Sequence, residues 1–447
     1  MTNGALGRLI SSVEYESFCR TELDDPYELL DELRAVAPVH WSPLLGSWLV
    51  TSYDEVNRAL RGDWLLHDRV EINVRGIPEP VRDGYGGLVT HISNWLGFTD
   101  GPKHARMREV SRQLVNPGLS TKLQPWTTHL VREMVAEMRA SETVDLLEDL
   151  ALRLPVTVIC HALGMEGADA AQFHALTEDL GRFAGRVDTS WDPEDQSMLY
   201  RSNQSWLALE ELFRHLIADK RRHPGDDVLS ALVSAHDSGL LSDDEVVGLS
   251  VFFFAAGHGT TRDLLANGLY LLMAHAGEAA KLQAGTSHIG PAVEEMLRYE
   301  SPIPMVSQLA GADHVLAGAD VRAGDAVILH IGAANRDPAH FVDPARFDVT
   351  RKENRHLAFG LGAHFCLGAP LARRQAAIVL EELAPDLHRL VFAEPPPGWG
   401  RGNMSSRTLT TLTASWLPRV GPPSAGPPGA GPPGAGGGAP RDESFTE

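Results

Sequence analysis

Residues 356–373, HLAFGLGAHFCLGAPLAR, place three glycines around one cysteine and run directly into a helical pattern. We call residues 356–368 the cysteine loop. A cysteine just before a helix has its thiolate favoured by the helix dipole and by free backbone N–H groups. Glycine lets the backbone take left-handed turns and pass close to a flat ligand. The segment therefore predicts a loop that presents Cys366 as a metal-binding thiolate, with a merely buried cysteine as the simpler alternative.

The bulk composition limits the kind of protein. The chain has 447 residues, 43% of them hydrophobic, which is enough to bury a sizeable core. Its 39 Lys and Arg against 59 Asp and Glu give a net charge of -20, which disfavours nucleic acid and anionic membranes as partners. Cys19, Cys160 and Cys366 are too few for a disulfide framework. Because the first residues resemble neither a membrane anchor nor a signal peptide, we expect a cytoplasmic protein.

Hydrophobic periodicity predicts a mainly α fold with small β-sheets. Apolar residues recur three and four positions apart in three segments, 130–138, 207–217 and 246–273. Short apolar or alternating runs predict strands at 39–53, 310–321, 326–331 and 409–416. We expect one domain over residues 1–420. The Pro/Gly/Ala-rich residues 421–447 offer few side chains for a core and predict a disordered tail.

The order F-G-x-G-x-H-x-C-x-G in the cysteine loop resembles the haem-binding signature of cytochromes P450. The matching positions are Phe359, Gly360, Gly362, His364, Cys366 and Gly368. The resemblance implies the single-domain P450 fold of the soluble bacterial type and a haem b, iron protoporphyrin IX. It implies that Cys366 is the iron ligand, that Phe359, Gly360 and Gly368 lie near the sulfur, and that His364 reaches a haem propionate. A thiolate ligand donates electron density that favours cleavage of the O–O bond.

A second resemblance concerns a buried ion-pair network. Glu295 and Arg298 lie three residues apart, on one face of a predicted helix. They resemble the family's E-x-x-R helix, and Arg346 resembles the arginine that completes a Glu-Arg-Arg network. The resemblance implies that these three residues maintain the fold and the haem pocket, and it counts Arg298 among the cofactor-binding residues too.

Residues 100–108, DGPKHARMR, resemble the start of the P450 helix that lies across the haem. His104 and Arg108 are four residues apart and therefore share a face of that helix. The resemblance implies that both bind haem propionates, and a solvated basic face is the alternative. Gln308 aligns with a position where many relatives carry a propionate-binding arginine, so anchoring should rest more on His104, Arg108 and His364. A positive patch for a small acidic redox partner is a further hypothesis, with candidates Arg106, Arg112, Arg373 and Arg374.

Ser242-Asp-Asp-Glu245 predicts a capping box at the start of a long apolar helix with a polar kink at residues 257–263. The kink resembles the P450 motif A-G-x-(Asp/Glu)-T-(Thr/Ser). The resemblance implies that Ala256 and Gly257 lie beside bound dioxygen and that Thr260 guides protons. A threonine hydroxyl bonded to the preceding turn is the structural alternative.

Gly259 departs from this motif, because the family normally has an acidic residue there. Protons must then come through water, His258, Asp263 or the substrate. Substrate contacts are expected from the loop before His104, from Ala255 and Ala256, from residues 303–306 and from the turn near Thr408. Aromatic candidates for the pocket, each of which could also be simple core, are Phe173, Phe183, Trp191, Tyr200 and Trp206.

The leading hypothesis is a monooxygenase that inserts one oxygen atom of O2 into a small or medium apolar secondary metabolite. No segment resembles a flavin or ferredoxin domain, so we expect electrons from separate proteins. The P450 resemblance implies that these are a ferredoxin and its NAD(P)H-dependent reductase. Gly259 motivates an alternative, a P450 for oxidative coupling, cyclisation or desaturation without oxygen insertion. A non-catalytic haem-binding protein is a third hypothesis.

Overall fold

The computed structural model describes residues 25–43, 45–75, 77–165, 170–186, 193–283, 285–394, 398–400 and 405–418. Most of them are helical. The α-helices are α1 (Tyr27–Val36), α2 (Tyr53–Arg61), α3 (Val70–Val74), α4 (Glu79–Asp83), α5 (Gly86–Ile92), α6 (Gly101–Leu114), α7 (Pro117–Arg139), α8 (Arg153–Leu163), α9 (Ala170–Ala184), α10 (Pro193–Arg222), α11 (Val228–Asp237), α12 (Asp243–Ala274), α13 (Ala276–Gln283), α14 (Ile289–Tyr299), α15 (Ile331–Ala334) and α16 (Ala369–Leu383). Single 3-10 turns occur at Leu96–Phe98, Thr286–His288, Gly362–His364 and Leu387–Arg389, and a π-helical turn at Leu147–Leu152.

The described strands form three small sheets. They are β1 (Val39–Ser42), β2 (Ser47–Val50), β3 (Leu65–Leu66), β4 (Thr143–Asp145), β5 (Val306–Ala310), β6 (His314–Leu316), β7 (Ala319–Val321), β8 (Ala326–Leu329), β9 (Leu390–Phe392) and β10 (Thr413–Trp416). The largest sheet has the order β1-β2-β8-β5-β3, in which only the β2–β8 pair is parallel. The others are β4-β10-β9 and the β6-β7 pair.

Helix α12 joins the two largest hydrophobic clusters of the described residues. Its first half, including Val246 and Phe254, packs into one cluster with α8, α10 and α11. Its second half, including Leu264 and Leu272, packs into the other with α14 and α16. The polar residues 257–263 lie between these halves. The junction of two apolar cores is thus where α12 carries polar groups.

The structure confirms the prediction of a mainly α fold with small β-sheets, and the capping box at Ser242 and Glu245 is formed. The predicted kink at residues 257–263 does not interrupt α12, which continues as one helix through them. Strands β3, β4 and β9 lie outside the predicted runs, and β5 overlaps one of them only at Ala310. The tail 421–447 lies outside the described residues, so the boundary at residue 420 stays a prediction. None of the described helices combines the length and apolar character that a membrane crossing requires.

Candidate active site

The cysteine loop folds back on itself just before α16 begins. The backbone N–H of Cys366 donates to the carbonyl of Phe359 at 2.9 Å. Gly360 and Gly362 have φ values of 66° and 70°, in the left-handed region that glycine tolerates best. A Cβ on Gly362 would lie 2.8 Å from the carbonyl oxygen of Leu60. The loop's glycines are therefore required by the backbone path that presents Cys366.

The Cys366 thiol lies among groups that favour its thiolate. Burial is the largest effect and leaves the pKa of Cys366 raised above its usual value, although the backbone N–H groups of Gly368 and Ala369 oppose the rise. The positive charges of Arg108 and Arg373 oppose it as well. These four groups agree with the predicted placement of a thiolate at a helix N-terminus.

A cavity of about 370 Å³ separates the cysteine loop from the middle of α12. Its walls are mostly apolar. Of the predicted site residues, it is lined from the loop by Phe359, Gly360, His364, Cys366 and Gly368, and from α12 by Ala256, Gly257 and Thr260. The structure therefore brings together most residues that the sequence singled out in two distant segments.

Three histidine rings stack at one edge of this cavity, which we call the histidine edge. The ring centroid of His364 lies 3.4 Å from that of His67 and 3.9 Å from that of His104. Asp100 approaches both His67 and His364, at 3.6 and 3.7 Å. Burial raises the pKa of Asp100, but hydrogen bonds from His364, His67 and the backbone lower it well below its usual range. His67 was not predicted, because it matches no motif.

Two buried polar atoms near this edge have no hydrogen-bond partner among the described residues. They are Nε2 of His104 and Oε1 of Gln308. Burial, with the nearby His364 and Arg108, lowers the pKa of His104 to about 4. The Gln308 amide nitrogen lies 2.7 Å from Nε2 of His67. Arg108 lines the cavity and donates to the carbonyl of Phe365.

These residues fit the haem that the resemblance implies. A haem bound through a thiolate needs the sulfur ligand on one side of its flat ring. It also needs apolar walls and polar groups at the edge for its carboxylates. Cys366 faces the cavity from the loop, and the orphaned Nε2 of His104 lies at the histidine edge. Arg108 is an arginine that lines the same cavity.

The E-x-x-R prediction is confirmed for the pair but is wrong for the third residue. Arg298 donates from Nε and Nη2 to the two carboxylate oxygens of Glu295, both at 2.8 Å, and both side chains are fully buried. The second guanidinium on Glu295 belongs to Arg351, whose Nε lies 3.1 Å from Oε2. The side chain of Arg346 is exposed and takes no part in the network. Its backbone carbonyl accepts hydrogen bonds from Arg298 and Arg351.

The same geometry corrects the expectation that Arg298 binds the cofactor. Its guanidinium donates to Glu295 and to the carbonyls of Asn335, Pro344 and Arg346, and Arg298 is not part of the cavity wall. Its effect on the cysteine loop passes through Asn335, whose side-chain oxygen accepts from the backbone N–H of Leu357.

In the middle of α12, the threonine hydroxyls bond one turn back along the helix. Thr260 donates to the carbonyl of Ala256 at 3.1 Å and Thr261 to that of Gly257 at 3.3 Å. Both threonines also line the cavity. The local hydrogen bond and the position on the cavity are therefore compatible. Gly259 is absent from the cavity wall, and a Cβ there would meet nothing within 4 Å.

His258 lies behind α12 and not on the cavity wall. Its Nδ1 donates to the carbonyl of Phe254 at 2.8 Å, and its Nε2 lies 3.0 Å from the Thr177 hydroxyl. Burial lowers the pKa of His258 to about 4, so the ring is neutral near pH 7. A neutral ring with one donor and one acceptor can relay a proton but holds none to spare.

Asp263 lies on the same buried side of α12. It accepts from Nε of Arg262 at 2.8 Å and from the Thr408 hydroxyl at 3.1 Å. Burial raises the pKa of Asp263 to about 6, although Arg262 opposes this. Arg262 also approaches Nε2 of His174 at 3.1 Å. We call His174, His258, Arg262, Asp263 and Thr408 the distal polar cluster.

The regional expectations for substrate contacts have mixed outcomes. Ile303 and Val306 line the cavity as expected, whereas Thr408 belongs to the distal polar cluster instead. Among the aromatic candidates, Phe173, Phe183 and Trp206 are buried core, Tyr200 is exposed, and Trp191 lies outside the described residues. The phenylalanines that α12 contributes to the cavity wall are Phe252 and Phe253, whose spacing on an apolar helix gave no separate signal.

Three of the four arginines suggested for a redox-partner patch are already ion-paired. Arg106 pairs with Glu245, Arg112 with Glu109 and Arg373 with Glu294. Their charge is locally neutralised, which weakens the case for a patch built on them.

Comparison with known proteins identifies the family. The cytochrome P450 family model matches residues 289–384. The biotin biosynthesis cytochrome P450 of Bacillus subtilis is 31% identical over 83% of this chain and 91% of its own length. The 6-deoxyerythronolide B hydroxylase of Saccharopolyspora erythraea is 34% identical over 80% and 88%. The cytochrome P450 monooxygenase PikC of Streptomyces venezuelae is 35% identical over 81% and 85%.

Solved structures agree. P450BioI, in complex with an acyl carrier protein carrying hexadec-9Z-enoic acid, has a TM-score of 0.78 and 30% identity, and the match covers 88% of this chain and 98% of that one. CYP109E1 from Bacillus megaterium, in complex with testosterone, has a TM-score of 0.79 and 30% identity, covering 91% and 100%. With its cysteine loop, its E-x-x-R pair and relatives matched along most of their length, this chain belongs to the cytochrome P450 family of haem-dependent oxidoreductases.

Proposed function

We propose that this protein is a haem-thiolate monooxygenase that activates O2 to oxidise a small or medium apolar organic molecule, a secondary metabolite. The observation that carries the proposal is the cavity. Cys366 lines it on one side, and Ala256, Gly257 and Thr260 line it on the other. A thiolate and a hydroxyl therefore face the same apolar space from opposite walls.

Apart from Arg298, each residue predicted to bind the cofactor keeps that role in the proposal. Cys366 binds the iron as thiolate, and Phe359, Gly360 and Gly368 form the wall around the sulfur. His104 and His364, at the histidine edge, would bind the haem propionates together with Arg108. The haem, when bound, supplies the iron at which dioxygen is activated. Apolar walls exclude bulk water from that iron.

Thr260 is proposed to hold a proton-donating water at the cavity. Its hydroxyl hydrogen is engaged by the carbonyl of Ala256, so its oxygen is left to accept a hydrogen bond from water. Gly259 supplies no carboxylate, and Ala256 and Gly257 line the cavity beside Thr260. Asp263, with a pKa of about 6, is the nearest described acid in sequence that exchanges its proton near neutral pH.

The apolar substrate is supported by the apolar part of the cavity wall. Leu96, Phe252, Phe253, Ile303 and Val306 line it. Secondary metabolism is supported by relatives, since one is named a 6-deoxyerythronolide B hydroxylase and another a polyketide biosynthesis cytochrome P450. We further propose electrons from NAD(P)H through a separate ferredoxin and reductase, and a cytoplasmic location.

The test is the absorption band of the reduced protein with carbon monoxide. The purified wild-type protein should give the absorption band that is characteristic of a thiolate-ligated haem. Cys366→Ala should lose both the band and all turnover. Cys160→Ala is the matched control, because Cys160 is buried at 6% exposure in the apolar cluster around α8 and should leave the band unchanged. A band retained by Cys366→Ala would refute the proposal.

Gly259 supports a second candidate, an oxidation that couples, cyclises or desaturates the substrate without inserting oxygen. A Cβ built on Gly259 would have no contact within 4 Å among the described residues beyond its own helix backbone. No such side chain therefore takes the place of the missing carboxylate. Turnover under isotopically labelled O2 separates the candidates. Label in the product supports insertion, and an unlabelled oxidised product supports coupling or desaturation.

A further inference from the structure

A second arginine besides Arg108 lines the cavity, two residues after His67 of the histidine edge. Arg69, which immediately precedes the short helix α3, lines the cavity. Its Nη1 donates to the carbonyl of Ser307 at 2.8 Å, and its Nη2 donates to the carbonyl of Ala184 at 3.4 Å. The guanidinium carbon lies 4.8 Å from the ring centroid of Phe98. Three separate segments therefore fix this side chain in one position.

Arg69 has no carboxylate partner among the residues that the structure describes. Other buried arginines do: Arg298 pairs with Glu295 at 2.8 Å and Arg336 with Glu300 at 3.0 Å. A buried cation without an anion is costly, because carbonyl dipoles replace only part of its hydration. Burial lowers the pKa of Arg69 to about 10, which still leaves it charged near neutral pH.

The guanidinium retains donors for a ligand. Arginine carries five N–H donors, and the hydrogen bonds to the two carbonyls use two of them. A planar guanidinium matches a carboxylate with two parallel hydrogen bonds. The cavity wall is mostly apolar, with Leu96 and Phe252 among the lining residues, although Ser307 and Gln308 also line it.

We propose that Arg69 binds the carboxylate of an organic acid, so that the substrate is an apolar molecule with one anionic end. This rests on the proposed function, because the same cavity must hold the oxidised part of the molecule. The protein's net charge of -20 does not attract anions, so recognition of an acid requires a dedicated cation inside the cavity. Arg69 is then a specificity-determining residue that fixes which end of the substrate points away from the haem.

A haem propionate is a second kind of carboxylate that Arg69 could bind in this cavity. The residues proposed for it, His104 and His364, stack on each other, and Arg108 lies on the wall next to the sulfur. Arg69 instead contacts Ala184, the last residue of α9, and Phe98 in the 3-10 turn before α6. These contacts favour a substrate carboxylate, and the experiment separates the two sources.

The experiment titrates the purified haem-loaded protein with organic acids and their methyl esters, following the optical shift of the haem. Suitable pairs are dodecanoate, 4-phenylbutyrate and cinnamate, each with its ester. We expect the wild-type protein to bind at least one acid tenfold or more tightly than its ester. Arg69→Met should weaken binding of that acid by roughly tenfold to a hundredfold, the range of a charged hydrogen-bonded contact, and leave the ester unaffected. Arg69→Lys should fall between them.

Arg58→Met is the matched control, because Arg58 is an exposed arginine on α2 and should bind both ligands as the wild type does. Equal affinity for acids and esters, or no titratable shift with any acid, overturns the proposal. So does faster transfer of haem from Arg69→Met to apomyoglobin, which would assign Arg69 to a propionate. The carbon monoxide band of the wild type reports the proposed function independently, so either claim can fail alone.

Discussion

The cysteine loop and the middle of α12 face each other across one cavity, yet they are built differently. In the loop, backbone requirements fix the structure: two left-handed glycines and a hydrogen bond from Cys366 to Phe359. In α12 the backbone is an ordinary helix, and the polar groups of its middle are held by α9 and by Thr408. A loop whose backbone needs left-handed residues tolerates few substitutions, whereas the face of a helix tolerates many. The departure from the family pattern at Gly259 lies in the tolerant region.

The two regions also differ in charge. The Cys366 sulfur has the cations of Arg108 and Arg373 near it. The distal polar cluster instead pairs one cation, Arg262, with a carboxyl whose pKa is raised to about 6 by burial. The loop is therefore suited to hold a fixed anion, and the cluster to exchange a proton.

The largest expected effect tests the support of the loop. Glu295→Gln leaves the guanidinium groups of Arg298 and Arg351 without their buried counter-charge. We expect the free energy of unfolding to fall by about 3–5 kcal/mol, with loss of bound haem. Chemical denaturation of the purified protein measures this. Glu381→Gln, at an exposed position of α16, should change stability little.

Replacing Arg351 and Arg346 one at a time tests which of the two arginines pairs with Glu295. Arg351→Met should destabilise the protein in the direction of Glu295→Gln, because Arg351 is paired with Glu295. Arg346→Met should alter the free energy of unfolding by less than about 0.5 kcal/mol, as for an exposed side chain. An equal effect of both changes would contradict the assignment.

The next effect concerns pH and the distal polar cluster. The pKa of Asp263 is raised in the folded protein from 3.8 to about 6, so the folded state binds a proton that the unfolded state releases. Between about pH 4 and 6, its contribution to the free energy of unfolding should fall as pH rises, by up to about 1.4 kcal/mol per pH unit. Above pH 6 it should be constant.

The measurement is the stability difference between the wild type and Asp263→Asn at several pH values, because other titrations cancel in the difference. A pH-independent difference would mean that Asp263 ionises normally. Asp243→Asn is the control on the same helix. A hydrogen bond from Arg221 lowers the pKa of Asp243, so its contribution is lost only as pH falls below about 4.

One substitution, Gly to Ala, should have opposite signs in the two regions. Gly362→Ala forces a side chain into a left-handed conformation and brings its Cβ within 2.8 Å of the Leu60 carbonyl oxygen. We expect a loss of at least about 1–2 kcal/mol in the free energy of unfolding. Haem retention should fall with it, and thermal unfolding with Soret detection reports both.

Gly259→Ala should raise the free energy of unfolding by about 0.5–1 kcal/mol, because alanine favours a helix and its Cβ meets nothing within 4 Å. Gly259→Asp fits the same space and should change the fraction of NADPH electrons recovered in product. Unchanged electron recovery would show that the missing carboxylate has no role. A destabilised Gly259→Ala protein would mean that the position is not open.

Much of the candidate site was predictable because it depends on local sequence. The positions of Gly360, Gly362 and Cys366 follow from what a tight loop before a helix requires, and the pairing of Glu295 with Arg298 follows from helical spacing. Local sequence could not favour Arg351 over Arg346 as the second arginine on Glu295. The two arginines are only five residues apart, and only tertiary packing decides which side chain turns inward. His67 and Arg69 carried no spacing signal at all.

The sequence by itself determined the family, the mainly helical fold and the glycine-lined path of the cysteine loop, because each depends on periodicity or on a contiguous motif. Only the tertiary structure decided the contents of the cavity. The distal polar cluster joins α9, α12 and the residues near Thr408, and Arg69 reaches the carbonyls of Ser307 and Ala184. Side chains far apart in sequence acquire their pKa values and their ligands from the neighbours that folding supplies.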